Sequence, residues 1–264
     1  IGYDATRVSV TQLQHWKAAT PRVRWKPAGS FLASIAAVKD ASEVRNIREA
    51  IAITERVLQS VLKLLRPGVT ETDVAAEISY QLRLEGGEGD AFEPIVASGE
   101  RSALPHARPT RKIIASGDLV TLDFGCRFRG YHSDLTRTVA VGSVSPEKKK
   151  IYNTVLDAQT AALEAARGGM KARTLDRAAR RIIQKAGYGK FFPHSLGHGL
   201  GLEVHEPPKI AARSDEILAV GNVVTIEPGI YVPGVGGVRI EDDVVLRKDD
   251  CEILTTASRM LTIL

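Results

Sequence analysis

The chain contains an internal repeat, in which each copy starts with two amphipathic helices. In the first copy, residues 41–65 carry apolar side chains at helical spacing, and the helix that follows ends at Gly86-Gly87. In the second copy, one helix opens at Ser145-Pro146-Glu147 and the next ends at Gly187. The sequence therefore predicts two structurally similar halves.

A strand that ends in a carboxylate follows each helix pair. The segment GDLVTLDFG resembles GNVVTIEPG, which lies 104 residues further on, and this match places Asp123 on Glu227. Each half then turns back with a second carboxylate, Asp134 at 11 residues after Asp123 and Glu241 at 14 residues after Glu227. Both spacings suit a β-hairpin whose loop contains glycine.

Two helix-helix-hairpin halves that pack about a pseudo-twofold axis bring the four carboxylates together. The sequence therefore predicts an α+β fold with a central antiparallel sheet and helices outside. Residues 38–264 would form this domain. Residues 1–37 contain tryptophans and prolines without a clear period, which is typical of a linker or the remnant of a preceding domain.

The composition is that of an ordinary globular protein, with 44% hydrophobic and 25% charged residues. The net charge is +5, but the cations are scattered, which favours solvated faces over a nucleic-acid-binding patch. No apolar run approaches the roughly 20 residues that a membrane span needs, and the first residues lack the features of a signal peptide. The two cysteines, Cys126 and Cys251, have no metal-type spacing. We therefore expect a reduced, cytoplasmic protein without nucleic-acid or membrane partners.

The four acids need an explanation, because unpaired buried carboxylates are energetically costly. A fifth candidate, His198, lies in the segment HSLGHGLGLEVHEPP, whose glycines allow the backbone to lie close to a buried site. The interleaved histidines and the missing helix signal argue against a phosphate-binding loop. Four carboxylates and one imidazole suit Mn²⁺ or Co²⁺, with Zn²⁺ as an alternative. The predicted metal ligands are Asp123, Asp134, His198, Glu227 and Glu241.

Five ligands exceed what one catalytic ion with an open position requires. They suit two ions about 3.5–4 Å apart, with two of the carboxylates bridging. A water molecule between two such ions is acidified to hydroxide at neutral pH, which is the nucleophile that amide hydrolysis needs. The ligand set therefore predicts a dinuclear-metal hydrolase that uses a metal-bridging hydroxide.

Two further residues lie beside the predicted ligands. Arg239 comes two residues before Glu241, so both side chains face the same side of a strand. It either orients the carboxylates or is a surface arginine. His194, four residues before His198, either lines the pocket or has a structural role. Both are candidate substrate-binding residues.

The motifs LDFG, GYHSDLTRT, GHGLGLEVHE, TIEPGIY and GVRIEDD occur in this order. In these motifs and their spacing, residues 38–264 resemble the pita-bread metallopeptidases, the family of methionine aminopeptidase, aminopeptidase P and prolidase. The last two motifs are similar to those of the Xaa-Pro branch, which contains prolidase and aminopeptidase P. Residues 1–37 resemble the final piece of the amino-terminal domain of that branch, most of which is absent here.

The resemblance implies a role for each predicted ligand. Asp123 would bind one metal alone, and Asp134 and Glu241 would bridge both metals. His198 and Glu227 would complete the second metal. The family residue that matches Glu227 is also credited with shuttling protons.

The resemblance also assigns residues around the metals. His106, in the segment ALPHA, matches the histidine near the leaving nitrogen, and His205 matches the one that steadies the scissile carbonyl. Together with Glu227 these are the candidate catalytic residues. Arg213, 14 residues before Glu227, resembles an arginine of prolidases that captures the substrate carboxylate, a contact that only a dipeptide supplies.

The resemblance thus implies hydrolysis of the bond before proline in short peptides, by an Xaa-Pro dipeptidase or an Xaa-Pro aminopeptidase. Two divalent ions would be the cofactors, with Mn²⁺ preferred. The alternatives are a methionine aminopeptidase and a non-peptidase binding protein on the same fold, because some members have lost the metals. Relatives are often dimers, so a homodimer is expected.

Overall fold

The computed structural model describes residues 1–264, and it contains two helix pairs, each followed by antiparallel strands. The segment before the first half contains β1 (Gly2–Tyr3), α1 (Val10–Ala19), β2 (Lys26–Pro27) and α2 (Gly29–Ala36). The first half contains α3 (Ala41–Leu64), α4 (Glu71–Leu84), β3 (Gly89–Asp90), β4 (Ile95–Ser98), a 3₁₀ helix (Gly99–Ala103), β5 (Leu119–Phe124), β6 (Cys126–Phe128), β7 (Tyr131–His132) and β8 (Leu135–Ala140). The second half contains α5 (Pro146–Ala165), α6 (Ala172–Lys185), a 3₁₀ helix (Gly189–Phe191), β9 (Gly197–Gly199), β10 (Glu206–Ile210), β11 (Val223–Ile226), β12 (Gly229–Val232), β13 (Gly236–Arg239), β14 (Asp242–Leu246) and β15 (Cys251–Ile253).

The four long helices of the repeat lie where the sequence pattern predicts them. Helix α3 begins after Asp40, whose side chain accepts from the Glu43 N–H while the Glu43 carboxylate accepts from the Asp40 N–H. Helix α5 begins after Ser145, with Pro146 as its first residue. No helix of the chain combines the length with the apolar composition that a membrane span needs.

The predicted central sheet is present as one antiparallel sheet in each half. The strand order is β4-β5-β8 in the first half and β10-β9-β11-β14-β15 in the second. Apolar residues from α3 and α4 pack on the first sheet around Leu122 and Phe124. Apolar residues from α5 and α6 pack on the second sheet around Ile226. Each half therefore has a main apolar cluster of its own, and a smaller cluster joins Ile47 and Ile51 of α3 to the second half.

The predicted hairpins contain an additional pair of strands. Strand β5 pairs with β8, with Asp123 opposite Thr136, but the residues between them form the β6–β7 pair. Arg129 and Gly130 make its turn with φ values of 49° and 77°, as a two-residue turn with this twist requires. In the second half, β12 and β13 pair in the same way between β11 and β14. The predicted hairpins with glycine-containing connections are therefore present, but the sequence analysis did not predict that these connections are long enough to pair with themselves.

Strand β8 of the first half lies against the junction of β13 and β14 in the second half. The Thr138 hydroxyl donates to the Arg239 carbonyl at 3.0 Å, and the Glu241 N–H donates to the Thr136 carbonyl at 3.2 Å. Asp134 and Glu241 each directly precede a strand, β8 and β14 respectively. These contacts therefore bring the two carboxylates to the same place.

The first 37 residues contain two helices that the irregular sequence pattern did not predict. Neither α1 nor α2 buries a residue. The rings of Trp16 and Trp25 stack with their centroids 5.1 Å apart, and Arg7 forms an ion pair with Glu203 of the second half. This segment is therefore held mainly by its own contacts and by exposed polar contacts.

Candidate metal centre

Side chains from both halves converge where the strands end. The ligating atoms of Asp134, His198 and Glu241 lie within 4.8 Å of one another. His198 Nε2 is 3.3 Å from Glu227 Oε1 and 3.7 Å from Asp134 Oδ2. Asp123 lines the same cavity. The structure thus brings together all the residues that the sequence predicts as metal ligands.

Two glycines permit this convergence, because their surroundings leave no room for a side chain. A Cβ atom on Gly125 would lie 1.8 Å from the Ser133 carbonyl oxygen, and one on Gly197 would lie 1.9 Å from the Thr225 carbonyl oxygen. Gly125 lets the chain after β5 fold back on itself, and Gly197 lets β9 lie against β11. The second contact places His198 beside the carboxylates.

Two carboxylate oxygens of this cluster are buried without a hydrogen-bond donor, Oδ1 of Asp123 and Oδ1 of Asp134. A buried carboxylate oxygen without a partner is energetically costly. A divalent cation bound here would supply the missing partner. Because the donor set is carboxylates with one imidazole, it suits an oxygen-preferring ion. The residues therefore fit a metal.

The carboxylates are electrostatically unfavourable on their own. Burial, followed by the negative charges of Glu241 and Asp123, raises the pKa of Asp134 well above its ordinary value. Burial also raises the pKa of Glu227 to about 8, although the Arg239 guanidinium acts in the opposite direction. A bound cation stabilises the charged form of every neighbouring carboxylate. The raised pKa values and the carboxylate oxygens without hydrogen-bond donors therefore both indicate a cation-binding site.

His198 is held as a neutral imidazole. Burial, followed by the neighbouring His205, lowers the pKa of His198 to about 4. Its Nδ1 lies 3.1 Å from the Gly199 carbonyl oxygen. Because a carbonyl only accepts hydrogen bonds, Nδ1 carries the proton and Nε2 presents a lone pair to the carboxylate cluster. This is the form in which histidine ligates metals.

Arg239 is a buried hub between the two halves, with 3% of its surface exposed. Its Nη2 donates to Asp123, and its Nη1 donates to the Tyr231 hydroxyl at 2.7 Å. Its Nε donates to the Thr136 hydroxyl at 3.1 Å, which in turn donates to Glu241 Oε2 at 2.6 Å. Arg239 thus contacts one predicted ligand directly and another through a single hydroxyl.

Sequence reasoning missed two residues of this network. The Tyr231 hydroxyl lies 2.9 Å from Nε2 of His194, and so it connects that histidine with Arg239. Asp243 is fully buried, and its Oδ2 accepts from the Asp134 N–H at 3.1 Å. The available signals were the tyrosine that closes TIEPGIY and the second aspartate in GVRIEDD.

The cluster lies in the wall of a cavity of about 940 Å³. His106, His205 and Arg213 are exposed residues on the same wall. The ring centroids of His205 and His198 are 4.3 Å apart. A cluster of metal-type ligands that opens into a cavity large enough for a small ligand is the arrangement typical of a metalloenzyme.

Comparison with known proteins identifies the family. The sequence profile of Metallopeptidase family M24 matches residues 45–248. The chain belongs to metallopeptidase family M24. It is therefore an enzyme, a metallopeptidase.

Similar proteins extend over almost the whole chain. The Xaa-Pro dipeptidase of Pyrococcus furiosus is 41% identical over 261 residues, which are 99% of this chain and 75% of that protein. The crystal structure of X-Pro aminopeptidase from Thermotoga maritima has a TM-score of 0.97 at 43% identity and covers 100% of this chain and 75% of that one. The prolidase from Pyrococcus furiosus has a TM-score of 0.91 at 40% identity, with 97% and 76% covered. The family and the pita-bread fold expected from the motifs are confirmed.

Proposed function

We propose that the chain is a dinuclear-metal hydrolase that cleaves the peptide bond before proline in short peptides. The observation that carries the proposal is the meeting of Asp134, His198 and Glu241 within 4.8 Å, on a cavity that Asp123 and Glu227 also line. The names of the similar proteins, Xaa-Pro dipeptidase and X-Pro aminopeptidase, support the substrate class. The catalytic domain in this proposal is residues 38–264.

Two divalent ions, Mn²⁺ in preference to Co²⁺ or Zn²⁺, are the proposed cofactors. Asp123 would hold one ion, His198 and Glu227 would hold the other, and Asp134 and Glu241 would contact both. When bound, such ions lower the pKa of water and polarise a carbonyl group, which opens an amide bond to attack at neutral pH.

Glu227 is the proposed proton carrier. The Thr225 hydroxyl donates to Glu227 Oε1 at 3.2 Å, which fixes the orientation of the carboxylate. Glu227 accepts a proton from the attacking water and releases it to the proline nitrogen as the C–N bond breaks. This transfer is needed because the leaving nitrogen gains a proton when the C–N bond breaks, and proline then leaves as a neutral secondary amine.

His205 and His106 act on opposite sides of the scissile bond in this proposal. His205 lies beside His198, and it donates a hydrogen bond to the carbonyl oxygen as negative charge develops there. His106 approaches the leaving nitrogen from the exposed wall of the cavity. His194 and Arg239 line the same cavity, and through Tyr231 they fix its shape.

Arg213 is proposed to select dipeptides. A guanidinium binds a carboxylate through two parallel hydrogen bonds, and only a dipeptide presents its terminal carboxylate on the proline itself. Arg213→Ala should therefore reduce kcat/KM for Ala-Pro at least about 10-fold more than for Ala-Pro-Ala. Equal losses in kcat/KM for the two substrates would show that Arg213 does not select dipeptides.

Peptide hydrolysis by chelator-treated protein, with and without added Mn²⁺, tests the proposal. The substrates are Ala-Pro, Ala-Pro-Ala and Met-Ala-Ser. Metal-dependent cleavage of Ala-Pro alone supports an Xaa-Pro dipeptidase, and cleavage of Ala-Pro-Ala supports an Xaa-Pro aminopeptidase. Cleavage of Met-Ala-Ser without any Xaa-Pro peptide would indicate a methionine aminopeptidase. A protein that binds no metal and cleaves none of the three peptides would be a binding protein. Cleavage of Met-Ala-Ser alone, or the absence of both metal and cleavage, overturns the proposal.

A further inference from the structure

The loop that carries His106 is fixed at both ends by the carboxylate of Glu71. Glu71 is the first residue of α4, and 0% of its surface is exposed. Its Oε1 accepts from the Ser98 N–H at 2.8 Å and from the Ser98 hydroxyl at 2.9 Å. Its Oε2 accepts from the Thr110 N–H at 3.0 Å and from the Thr110 hydroxyl at 2.8 Å. One carboxylate therefore joins the two residues between which the loop runs.

Arg101 extends this anchor into the loop itself. Its Nε donates to Glu71 Oε2 at 3.0 Å, and its Nη2 donates to the Arg108 carbonyl at 2.6 Å. The guanidinium is planar, so these donors have a fixed relative geometry. The carboxylate thus determines the path of the chain on both sides of His106. On the opposite side, Arg239 Nη1 donates to the Pro105 carbonyl at 3.2 Å.

We propose that Glu71 is a positioning residue that sets the location of His106 on the cavity wall. Glu71 does not line the cavity, whereas His106 does. It therefore acts on the substrate only through the loop. The inference rests on the proposed role of His106 beside the leaving nitrogen. A catalytic group displaced by about 1 Å can lose about 10²-fold in rate, so a loosened anchor has a measurable effect.

The chain offers a matched control in Glu55 of helix α3. The Glu55 carboxylate also collects donors from a loop, namely the Thr256 N–H, the Ala257 N–H and the Thr256 hydroxyl at 2.6 Å. This loop carries none of the proposed site residues. Glu55→Gln and Glu71→Gln therefore make the same chemical change, but only Glu71→Gln alters the loop that carries His106.

Glu71→Gln keeps the volume but replaces one acceptor oxygen with an amide donor, which then faces the donors of Ser98 or Thr110. We expect kcat for Ala-Pro to fall between about 10-fold and 10²-fold, with KM and metal content unchanged. Glu55→Gln should keep the kcat of the unsubstituted protein. In a His106→Ala background, Glu71→Gln should lower kcat by less than about 2-fold, because the residue it positions is gone.

An equal loss with and without His106, or an equal loss in Glu55→Gln, overturns the proposal. If Glu71→Gln does not fold, Thr110→Val removes one hydroxyl donor from the anchor, together with the acceptor of the Lys112 N–H. It should show a smaller loss that also disappears in the His106→Ala background. A Thr110→Val loss that persists there contradicts the proposal.

Hydrogen exchange of residues 99–109 gives a readout that needs no peptidase activity. Exchange should be faster in Glu71→Gln than in Glu55→Gln or the unsubstituted protein, and unchanged exchange overturns the anchor. If the unsubstituted protein with Mn²⁺ cleaves no Xaa-Pro peptide, the proposed function fails. The exchange result then decides on the anchor by itself.

Discussion

Asp123 is the last residue but one of strand β5 in the first half, whereas Glu227 follows the end of strand β11 in the second half. Asp134 and Glu241 both precede the strand that pairs with the first one. The first half therefore supplies two short carboxylates, and the second half supplies two long ones. Each glutamate side chain is one methylene longer than the aspartate at the matching position of the repeat. A structural repeat can thus keep the position of a ligand while it changes the reach of the side chain.

The remaining site residues come unequally from the two halves. The first half contributes His106, and the second half contributes His194, His198, His205, Arg213 and Arg239. The carboxylates are therefore divided equally between the halves, whereas three of the four imidazoles come from the second half. This difference indicates that the four carboxylates follow the repeat, whereas the histidines and arginines around them do not.

Two buried arginine–carboxylate pairs cross between the halves. Arg239 of the second half contacts Asp123 of the first, and Arg137 of the first half contacts Asp242 of the second at 2.7 Å. Only the Arg239 pair lines the cavity. Both pairs therefore join the halves, but only the Arg239–Asp123 pair also forms part of the cavity wall.

The largest expected effect tests whether both halves contribute equally to the metal cluster. Asp134→Asn and Glu241→Gln each remove one proposed bridging carboxylate. Stabilisation by a catalytic metal contributes several kcal/mol, so each variant should lose about 10³-fold or more in kcat/KM for Ala-Pro. Metal content, measured by plasma mass spectrometry, should fall in both. If either variant kept full activity and metal content, the half that contains the substitution would not contribute a required ligand.

Replacing each crossing arginine with lysine separates the two pairs. Lysine keeps the charge but not the planar set of donors. We expect Arg239→Lys to reduce kcat/KM about 10²-fold, because lysine cannot donate to Asp123, Tyr231 and Thr136 at the same time, and a site residue displaced by about 1 Å can lose that much in rate. Arg137→Lys should lower the melting temperature and reduce kcat/KM by less than about 10-fold. Equal kinetic losses in the two variants would mean that Arg239 has no special place in the pocket.

A smaller effect concerns a buried ion pair that joins the start of the first half to the second. Lys39 and Glu206 have side-chain exposures of 1% and 9%. Glu206→Gln should reduce the free energy of unfolding by about 2 kcal/mol, which lowers the melting temperature by about 4–8 °C. Glu203→Gln, which breaks the exposed pair with Arg7, is the control and should shift it little. Similar changes in melting temperature in both variants would contradict the claim that the buried ion pair stabilises the fold more than the exposed one.

The smallest expected effect concerns the two thiols, one in each half. Burial raises the pKa of Cys126 to about 11 and that of Cys251 to about 11. At pH 8 only roughly one thiol in 10³ is then ionised, and the thiolate is the reactive form. Neither cysteine should react with a disulfide reagent such as Ellman's until the protein is unfolded, when both should react. Rapid labelling of Cys126 in the folded state would show that the strand after Asp123 opens.

The parts of the structure that follow from local rules were predictable from the sequence. Helices α3 and α5 have caps and apolar spacing that are encoded within a few residues, at Asp40 and Ser145. The carboxylates were predictable because the repeat places Asp123 and Glu227 at matching points. Helix α1 was missed because its apolar residues have no period, and none of them is buried.

The parts that depend on contacts distant in sequence were not predictable. The bond from Arg239 to Asp123 spans 116 residues, and the bond from Ser98 to Glu71 spans 27. The position of Arg239 two residues before Glu241 predicted that its side chain faces the carboxylates, but no local pattern indicates that it reaches Asp123 or that Glu71 is buried. Tyr231 was missed for the same reason, because only the folded chain shows that its hydroxyl connects His194 with Arg239.

The number of Mn²⁺ ions bound per chain tests the central claim most directly. Chelator-treated protein is titrated with Mn²⁺, and bound metal and Ala-Pro hydrolysis are followed in the same samples. The account predicts two ions per chain, hydrolysis that rises with occupancy, and weaker binding in His198→Ala. A chain that binds no Mn²⁺, or that hydrolyses Ala-Pro equally well with all metal removed, would contradict it.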